Sequence, residues 1–408
     1  MDASLPRAAF TMAGVRLRSD AGWRRWGPFT PGVLRYVDDL PVPRLPGAGW
    51  VRLAPTLAGI CGSDTKLLRI GMSRLLTAYA PQDRFVPGHE VVATVLETAP
   101  GVRAVAPGDT VLLDPYAGCL LKGYELCPPC REGAVYLCRR IDQAGALCRG
   151  QGQGFSECLG GGWGEQLVAH ESQLTVVTDV TDERAVLAEP AAVALHAALR
   201  WRRTGDRAVV IGPGTIGLLL TAALRRLHPD LDVVVVTADE FGESQVMQRG
   251  ASATVRQPAD QVLESVAERV GARLLRGRLT SLPVLDGGVD VVFDCVATAA
   301  TVDLGLRLLR ARGTFVMLGT AGDQPQDWSL VWWRELQILG SYAFAVEPEL
   351  GGARTQAVVS EWLSDPAFPV DGMVTHRFPL ESYAEALEVA SSAARHRAVK
   401  VAFTPSQR

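Results

Sequence analysis

Residues 208–217 constrain the fold of this chain more than any other stretch. Ala208-Val209-Val210-Ile211 is an apolar, largely β-branched run with the composition of a buried strand. Gly212, Pro213, Gly214, Thr215, Ile216 and Gly217 follow in G-x-G-x-x-G spacing, and residues 218–224 then have helix-forming composition. A second run, Val233-Val234-Val235-Val236, leads into Thr237, Ala238, Asp239 and Glu240. Strand, glycine turn, helix and strand in this order make a dinucleotide-binding unit. Its first glycine permits a tight turn, its second lets a pyrophosphate approach the backbone, and its third lets helix and strand pack closely. The helix N-terminus adds unpaired N–H groups and the positive end of its dipole. A G-x-G-x-x-G alone occurs in many ordinary turns; the flanking strands give this one its meaning.

Alternation of strand and helix continues beyond it. Residues 257–276 are helical in composition, Asp290-Val291-Val292-Phe293-Asp294 is a strand, 301–310 is a helix, and 314–319 is a strand ending in glycine. Strands separated by helices of this length form a parallel, doubly wound sheet. The backbone at strand C-ends, here Val296, Leu318 and Gly319, is where a nicotinamide ribose would lie in such a sheet. From Ser341 onward the remaining elements are too few for a domain of their own and are expected to return to the N-terminal one.

The 408 residues predict two or three domains. A hydrophobic share of 48% against 21% charged allows a large core, and a net charge of −3 gives no general attraction to nucleic acid or anionic membrane. Residues 1–30 are expected to be an irregular N-terminal extension rich in Arg and Trp (Arg16, Arg18, Trp23, Arg24, Arg25, Trp26). They are too short a basic stretch in an acidic chain to read as a nucleic-acid patch. The start has no apolar run of signal-peptide length and no uncharged stretch approaches a membrane span, so a cytoplasmic chain is expected. Eight cysteines then point to metal or redox chemistry before disulfides.

Two short motifs carry metal-ligand chemistry. Gly59-Ile60-Cys61-Gly62-Ser63-Asp64 offers a thiolate, and Pro87-Gly88-His89-Glu90 offers an imidazole beside a carboxylate. Residues 91–113 alternate strand-like runs with the turn Pro107-Gly108-Asp109, which sets both motifs on the rim of a β-barrel-like domain. Cys127-Pro128-Pro129-Cys130 with Cys138 reads as a zinc knuckle, and Cys119 is the cysteine nearby on the N-terminal side that can complete a tetrahedral set. Cys148, Cys158 and Cys295 have nothing at metal spacing and are expected to be small hydrophobes. The glycine-rich loop 151–164 is either flexible backbone beside a site or a plain surface loop. Glu189, in the apolar setting Ala188-Glu189-Pro190, needs a cation or a polar partner if buried. His196 is expected to be a core histidine.

Taken together, these motifs occur in the order of the zinc-dependent medium-chain alcohol dehydrogenases, and the chain resembles most their polyol, threonine and glucose dehydrogenase branch over roughly residues 33–405. The resemblance implies an α/β fold in which a GroES-like β-rich catalytic domain (31–185 and 342–408) is joined to a Rossmann domain (186–341). It implies a catalytic zinc held by Cys61, His89 and Glu189, with Glu90 a direct or exchangeable ligand, and a structural zinc on Cys119, Cys127, Cys130 and Cys138. Ser63 matches the hydroxyl residue that bonds the substrate alcohol and passes on its proton, and Asp64 stands behind the ligands. The implied reaction is hydride transfer between a nicotinamide cofactor and a secondary alcohol or ketone of polyol, sugar or amino-alcohol type.

Three departures qualify the carry-over. Lys66 stands where many members place the histidine that relays the proton. Tyr124 occupies the usual first structural-cysteine position, which leaves Cys119 as the replacement. Thr237 stands where NAD-preferring members put an aspartate; Asp239 and Glu240 follow it, and no Arg or Lys comes before Arg249, so NAD is expected over NADP. An NADPH-dependent aldehyde or ketone reductase and a non-catalytic nucleotide-binding protein are the competing readings. The partner is a small-molecule substrate, with pocket walls expected from 66–84 and 341–345. Family habit implies a homodimer or homotetramer, and the apolar residues Val331, Trp332, Trp333, Ile338 and Leu339 could form a subunit interface or an interdomain seam.

Overall fold

The computed structural model describes residues 11–18, 34–68 and 84–405. The chain forms two compact units: the first holds the described residues up to Glu189 with Gly352–Asp365 and those from Asp371 on, and the second holds Pro190–Gly351 with Pro366–Val370. The division falls inside the helix Ala188–Arg200, directly after Glu189. Among the described residues no helix is long and apolar enough to cross a membrane.

The first unit is built on a seven-stranded sheet. Its order is Val374–Phe378, Lys400–Phe403, Trp50–Gly59, Val91–Thr98, Thr110–Leu113 and Leu174–Val176, with Leu167–His170 also pairing Trp50–Gly59. The register of the central strand Trp50–Gly59 shifts between Pro55 and Leu57. A proline has no N–H to give the ladder, so the break falls where the sequence demands it. Alternate residues of these strands bury Val51, Leu53, Ala93, Val95, Val111, Leu113 and Leu167 in one core. A second core gathers Ala58, Ile60, Phe85, Trp163, Val401 and Phe403. Trp163 is fully buried with its ring edge-on to Phe403, 5.1 Å between centroids, and its indole N–H donates to the Gly59 carbonyl at 3.2 Å.

Two local expectations change here. Thr11–Arg18, within the stretch expected to be irregular, is a strand that pairs with Leu34–Pro41 and with Arg84–Phe85. The Arg and Trp content hid an alternation of Val15 and Leu17 with Arg16 and Arg18. Trp23, Arg24, Arg25 and Trp26 lie outside the described residues, as does most of the expected pocket wall at 66–84. Cys148 and Cys158 are joined as a disulfide, correcting their reading as separate small hydrophobes. The nine residues of glycine-rich chain between them let the two come together, a pairing that metal-ligand spacing does not reveal.

The second unit holds a six-stranded sheet in the order Ala253–Arg256, Asp232–Thr237, Arg207–Ile211, Val289–Asp294, Leu309–Met317 and Gln337–Gly340. Every neighbouring pair is parallel. Numbered by chain order within this sheet, the strands run 3-2-1-4-5-6, the doubly wound dinucleotide-binding order. Val209, Ile211, Val234, Val236, Val262, Val266, Val292 and Phe315 fill its core. The helix expected over 257–276 is shorter, Ala259–Val270. Gly271 caps it in the left-handed conformation at φ 69°, and Arg273–Leu275 turns back to pair with Val284–Asp286.

Candidate active site

Cys61 leaves the end of the strand Trp50–Gly59 at the start of a short helix, Gly62–Leu68. Its N–H donates to Asp64 Oδ2 at 3.0 Å, so the buried Asp64 carboxylate fixes the turn that presents the thiol. The Ser63 side chain lies beside the Cys61 sulfur and favours its ionised form, against the burial that raises it. Lys66 is half-buried one turn further along the same helix.

His89 and Glu90 arrive from a neighbouring loop. Gly88 has φ 96°, and a Cβ there would come within 2.4 Å of the Trp163 ring. The glycine-rich loop packs on this segment: Gly162 N–H donates to the Gly88 carbonyl at 2.8 Å and Trp163 N–H to that of Pro87 at 3.0 Å. That loop therefore belongs beside the site. It also brings Phe155 against His89, ring centroids 4.9 Å apart. A Cβ on Gly59 would fall 1.9 Å from Glu90 Oε2, so only glycine leaves room for this glutamate.

Ligand atoms of Cys61, His89 and Glu90 lie within 4.8 Å of one another. Asp64 Oδ1 is 3.7 Å from His89 Nδ1, beyond hydrogen-bond reach, and among the described residues the buried His89 Nδ1 has no hydrogen-bond partner. Glu189 is outside this tight group yet shares its field. Burial pushes its carboxyl up to about 8, the nearby Glu90 and Cys61 push the same way, and His89 and Lys400 oppose them. Burial likewise pushes the Cys61 thiol up to about 12, with Glu90 and Asp64 adding to it and Lys400 opposing. Asp64 is also raised, first by burial. A half-buried thiol packed this closely with a buried imidazole and buried carboxylates, one imidazole nitrogen being orphaned among the described residues, fits a soft divalent cation such as zinc, which relieves the cost of charging them together.

Lys400 was missed by the sequence reading. Its ammonium donates to both Glu90 oxygens, at 2.7 and 2.6 Å, and to the Ile60 carbonyl at 3.2 Å, entirely within the protein interior. A single lysine inside the apolar run Val399, Val401, Ala402, Phe403 was the available signal. Phe155 had a weaker one, as the aromatic residue of a glycine-rich loop.

The cysteine cluster forms a second donor set. Sulfurs of Cys119, Cys127, Cys130 and Cys138 lie within 4.8 Å of one another, and all four residues are buried. Cys127 caps the short helix Pro128–Arg131, and backbone N–H groups of Arg139 and Arg140 donate to the sulfurs of Cys127 and Cys138 at 3.5 and 3.4 Å. Burial pushes Cys127 up, but the Arg139 N–H and the neighbouring cysteines outweigh it and bring the thiol down to about 6. Cys130 and Cys138 are raised by burial. Four sulfurs with peptide N–H donors fit a tetrahedral zinc. Tyr124 packs against the cluster.

In the second unit the glycine turn is tightly specified. Gly212 has φ 103°, a Cβ on Gly217 would lie 1.9 Å from the Gly212 oxygen, and a Cβ on Gly214 would meet nothing within 4 Å. The helix Thr215–Leu227 starts there with Gly214 as its N-cap, while Pro213 packs near Gly242, and the turn leaves a cradle that a pyrophosphate can fill. Val296, Leu318 and Gly319 gather at the ends of neighbouring strands, with Leu318 and Gly319 N–H groups on the Asp294 carbonyl at 2.9 Å. Thr237 is buried, with a hydroxyl that has no hydrogen-bond partner among the described residues, and Asp239 caps the next helix by accepting from Gly242 N–H at 2.8 Å. Facing Thr237 in register is Arg256, bound by Glu243 at 3.1 and 2.7 Å.

Comparison with known proteins agrees with this fold. Residues 47–179 match the family model for the alcohol dehydrogenase GroES-like domain, and 215–356 match that for zinc-binding dehydrogenases. The chain is 27% identical to human sorbitol dehydrogenase over 88% of this chain and 90% of that one. It is 26% identical to L-threonine 3-dehydrogenase of Anaeromyxobacter over 87% of this chain and 91% of that one. A zinc-binding dehydrogenase from Sinorhizobium meliloti, crystallised with NADP, superposes with a TM-score of 0.72 at 26% identity, covering 97% of this chain and 99% of the other. With both family models matched in order along one chain, and relatives aligned over nearly its whole length, the protein belongs to the zinc-dependent medium-chain alcohol dehydrogenase family.

Proposed function

We propose that the chain interconverts a secondary alcohol of polyol, sugar or amino-alcohol type with its ketone. The observation that carries this reading is the convergence of Cys61, His89 and Glu90 within 4.8 Å, with buried Glu189 in their field. Cys61, His89 and Glu189 would hold a catalytic zinc. Glu90, already gripped by Lys400, would be an exchangeable rather than a permanent ligand. Zinc, when bound, supplies Lewis acidity to the substrate oxygen, and the nicotinamide takes up the hydride. Ser63 Oγ, beside the Cys61 sulfur, would receive the substrate hydroxyl proton, and Lys66 stands one turn on to carry it outward. Cys119, Cys127, Cys130 and Cys138 would hold a structural zinc.

We take residues 31–185 with 342–408 as the catalytic domain and 186–341 as the cofactor domain; the compact units divide slightly later, after Glu189 and after Gly351. Gly212, Pro213, Gly214, Thr215, Ile216 and Gly217 cradle the pyrophosphate, while Val296, Leu318 and Gly319 border the nicotinamide end. NAD is favoured over NADP because Asp239, Glu240 and Glu243 make the edge beside Thr237 acidic, and Glu243 already occupies Arg256. The NADP carried by the Sinorhizobium relative keeps an NADPH-dependent reductase as the second reading.

Sorbitol and threonine dehydrogenases among the relatives support a small polar alcohol as substrate. A homodimer or homotetramer in the cytoplasm is the assembly we expect. Trp328, Trp332 and Trp333 are exposed on the second unit next to the edge strand Gln337–Gly340, a face that a second copy could cover.

Zinc per chain in the parent protein and in Cys61→Ser, with a screen of polyols and amino-alcohols against both cofactors, tests the reading. Two equivalents falling to one, with loss of turnover, are expected. A zinc content unchanged by Cys61→Ser would overturn the catalytic site.

A further inference from the structure

Lys122 lies three residues after Cys119, and its side chain is almost completely buried. Its ammonium donates to the carbonyls of Arg140 at 2.8 Å, Gly150 at 3.0 Å, Gln143 at 3.1 Å and Ile141 at 3.3 Å. An ammonium has three N–H donors, so the three shorter bonds exhaust it and the fourth is shared. One side chain thereby draws the segment 140–150 around itself. Its own backbone joins the same knot, with Lys122 N–H on the Gly118 carbonyl at 3.3 Å and Ala146 N–H on the Lys122 carbonyl at 2.9 Å.

This cage touches the cysteine cluster through one peptide. The Arg140 carbonyl is held by Lys122, and the Arg140 N–H donates to the Cys138 sulfur at 3.4 Å. The Arg140 guanidinium stacks 4.6 Å above the Tyr124 ring, which packs on the cluster. A brace made only for shape would be served by a neutral donor, because a buried cation whose hydrogen bonds, among the described residues, all go to carbonyl dipoles is costly. The negative charge within its field comes from Cys138, Asp142, Cys119 and Cys130, which favour the charged lysine against the burial that lowers its pKa. Asp142 supplies part of that charge in either state; four thiols add none, whereas four thiolates around a divalent ion leave an excess of it.

We propose that Lys122 is the positioning cation of the cysteine cluster, aiming the Arg140 N–H at Cys138 and offsetting the net negative charge of a zinc tetrathiolate. The inference rests on the structural-zinc reading above. Buried charge and metal loading then support each other, so the segment 119–150 is stable in the loaded state and loosens when the metal leaves.

The experiment uses the Cys61→Ser chain, where the cysteine cluster is the zinc site that remains, alone and with Lys122→Met or Lys122→Gln. Zinc transfer to a chromophoric chelator is timed at neutral pH, and thermal midpoints are compared with zinc and with chelator. Both variants should release zinc about tenfold faster or more. The rise in midpoint that zinc confers should shrink, while the chelated chains differ less. Gln keeps a hydrogen-bond donor without the charge and is small enough to fold where Met is not tolerated. Unchanged release in both variants overturns the proposal. So does a drop in midpoint that is equal with and without zinc, which would make Lys122 a loop brace alone. A Cys61→Ser parent that holds no zinc would instead remove the structural-zinc reading, and the role of Lys122 with it.

Discussion

Lys400 and Glu90 form a buried ion pair in which one ammonium meets both oxygens of the carboxylate, at 2.7 and 2.6 Å, with each side chain nearly inaccessible to solvent. Glu90 sits beside Cys61 and His89, so the lysine restrains a carboxylate that would otherwise be free to crowd those donors. Burial alone would lower the Lys400 pKa, but Glu90 and Cys61 outweigh it and raise it, keeping the ammonium charged.

Lys400→Met should therefore cost about 3–5 kcal/mol in urea unfolding, since it strands the Glu90 charge in the interior. Adding Glu90→Gln should recover much of that loss, because the pair is then replaced by neutral groups. A double variant as unstable as Lys400→Met alone would show that the lysine acts through its packing and its bond to the Ile60 carbonyl.

Cys119 and Tyr124 divide the two ways of completing the cysteine cluster. Cys119 Sγ is 3.6 Å from Cys138 Sγ, whereas Tyr124 contributes apolar contact. Cys119→Ser should lower zinc from two equivalents to one, and Tyr124→Phe should leave the count at two. Elemental analysis of the two purified variants reads the difference directly; a loss confined to Tyr124→Phe would reassign the fourth ligand.

What the sequence made legible follows from how far apart the interacting residues are. Cys61 with Asp64, His89 with Glu90, and the Gly212 to Gly217 turn each carry their chemistry inside a few residues, where spacing reports geometry. The doubly wound sheet was legible for the same reason, through alternating strand and helix composition. Lys400 was not, because it meets Glu90 only after Lys400–Phe403 joins the sheet beside Trp50–Gly59. Phe155 reaches His89 through a loop whose path composition does not specify. The Cys148 and Cys158 pairing depends on loop closure, and thiol, ligand and disulfide cysteines look alike in a sequence.

Glu171 provides a test of acid stability. Its Oε2 accepts from the N–H groups of Arg103 at 2.7 Å and Ala104 at 2.9 Å, which together lower its carboxyl below the ordinary 4.5. A carboxylate lowered in the folded state adds stability above its unfolded value and loses it as pH falls through the folded one. Glu171→Gln should melt below the parent at neutral pH, and the gap should close as pH drops below 4.5. A gap that stays constant through that range would show that the ionised form contributes nothing.

Gly214 and Gly217 belong to one motif yet should fail in opposite ways. The backbone of Gly214, at φ −78° and ψ −177°, is open to any residue, and a Cβ there meets no protein atom within 4 Å. Gly214→Ala should leave the unfolding free energy unchanged or raise it by about 0.4–1 kcal/mol, because alanine narrows the unfolded ensemble. The same methyl would stand in the cradle assigned to the pyrophosphate, so the Kd for the dinucleotide, read by nucleotide fluorescence, should rise about tenfold or more, equivalent to about 1.4 kcal/mol. In Gly217→Ala the methyl would fall 1.9 Å from the Gly212 oxygen. Helix and turn must then separate, and about 1–3 kcal/mol of stability should be lost before any ligand is added. If Gly214→Ala bound the dinucleotide as tightly as the parent, the pyrophosphate would lie elsewhere, and the cofactor assignment to this turn would fall.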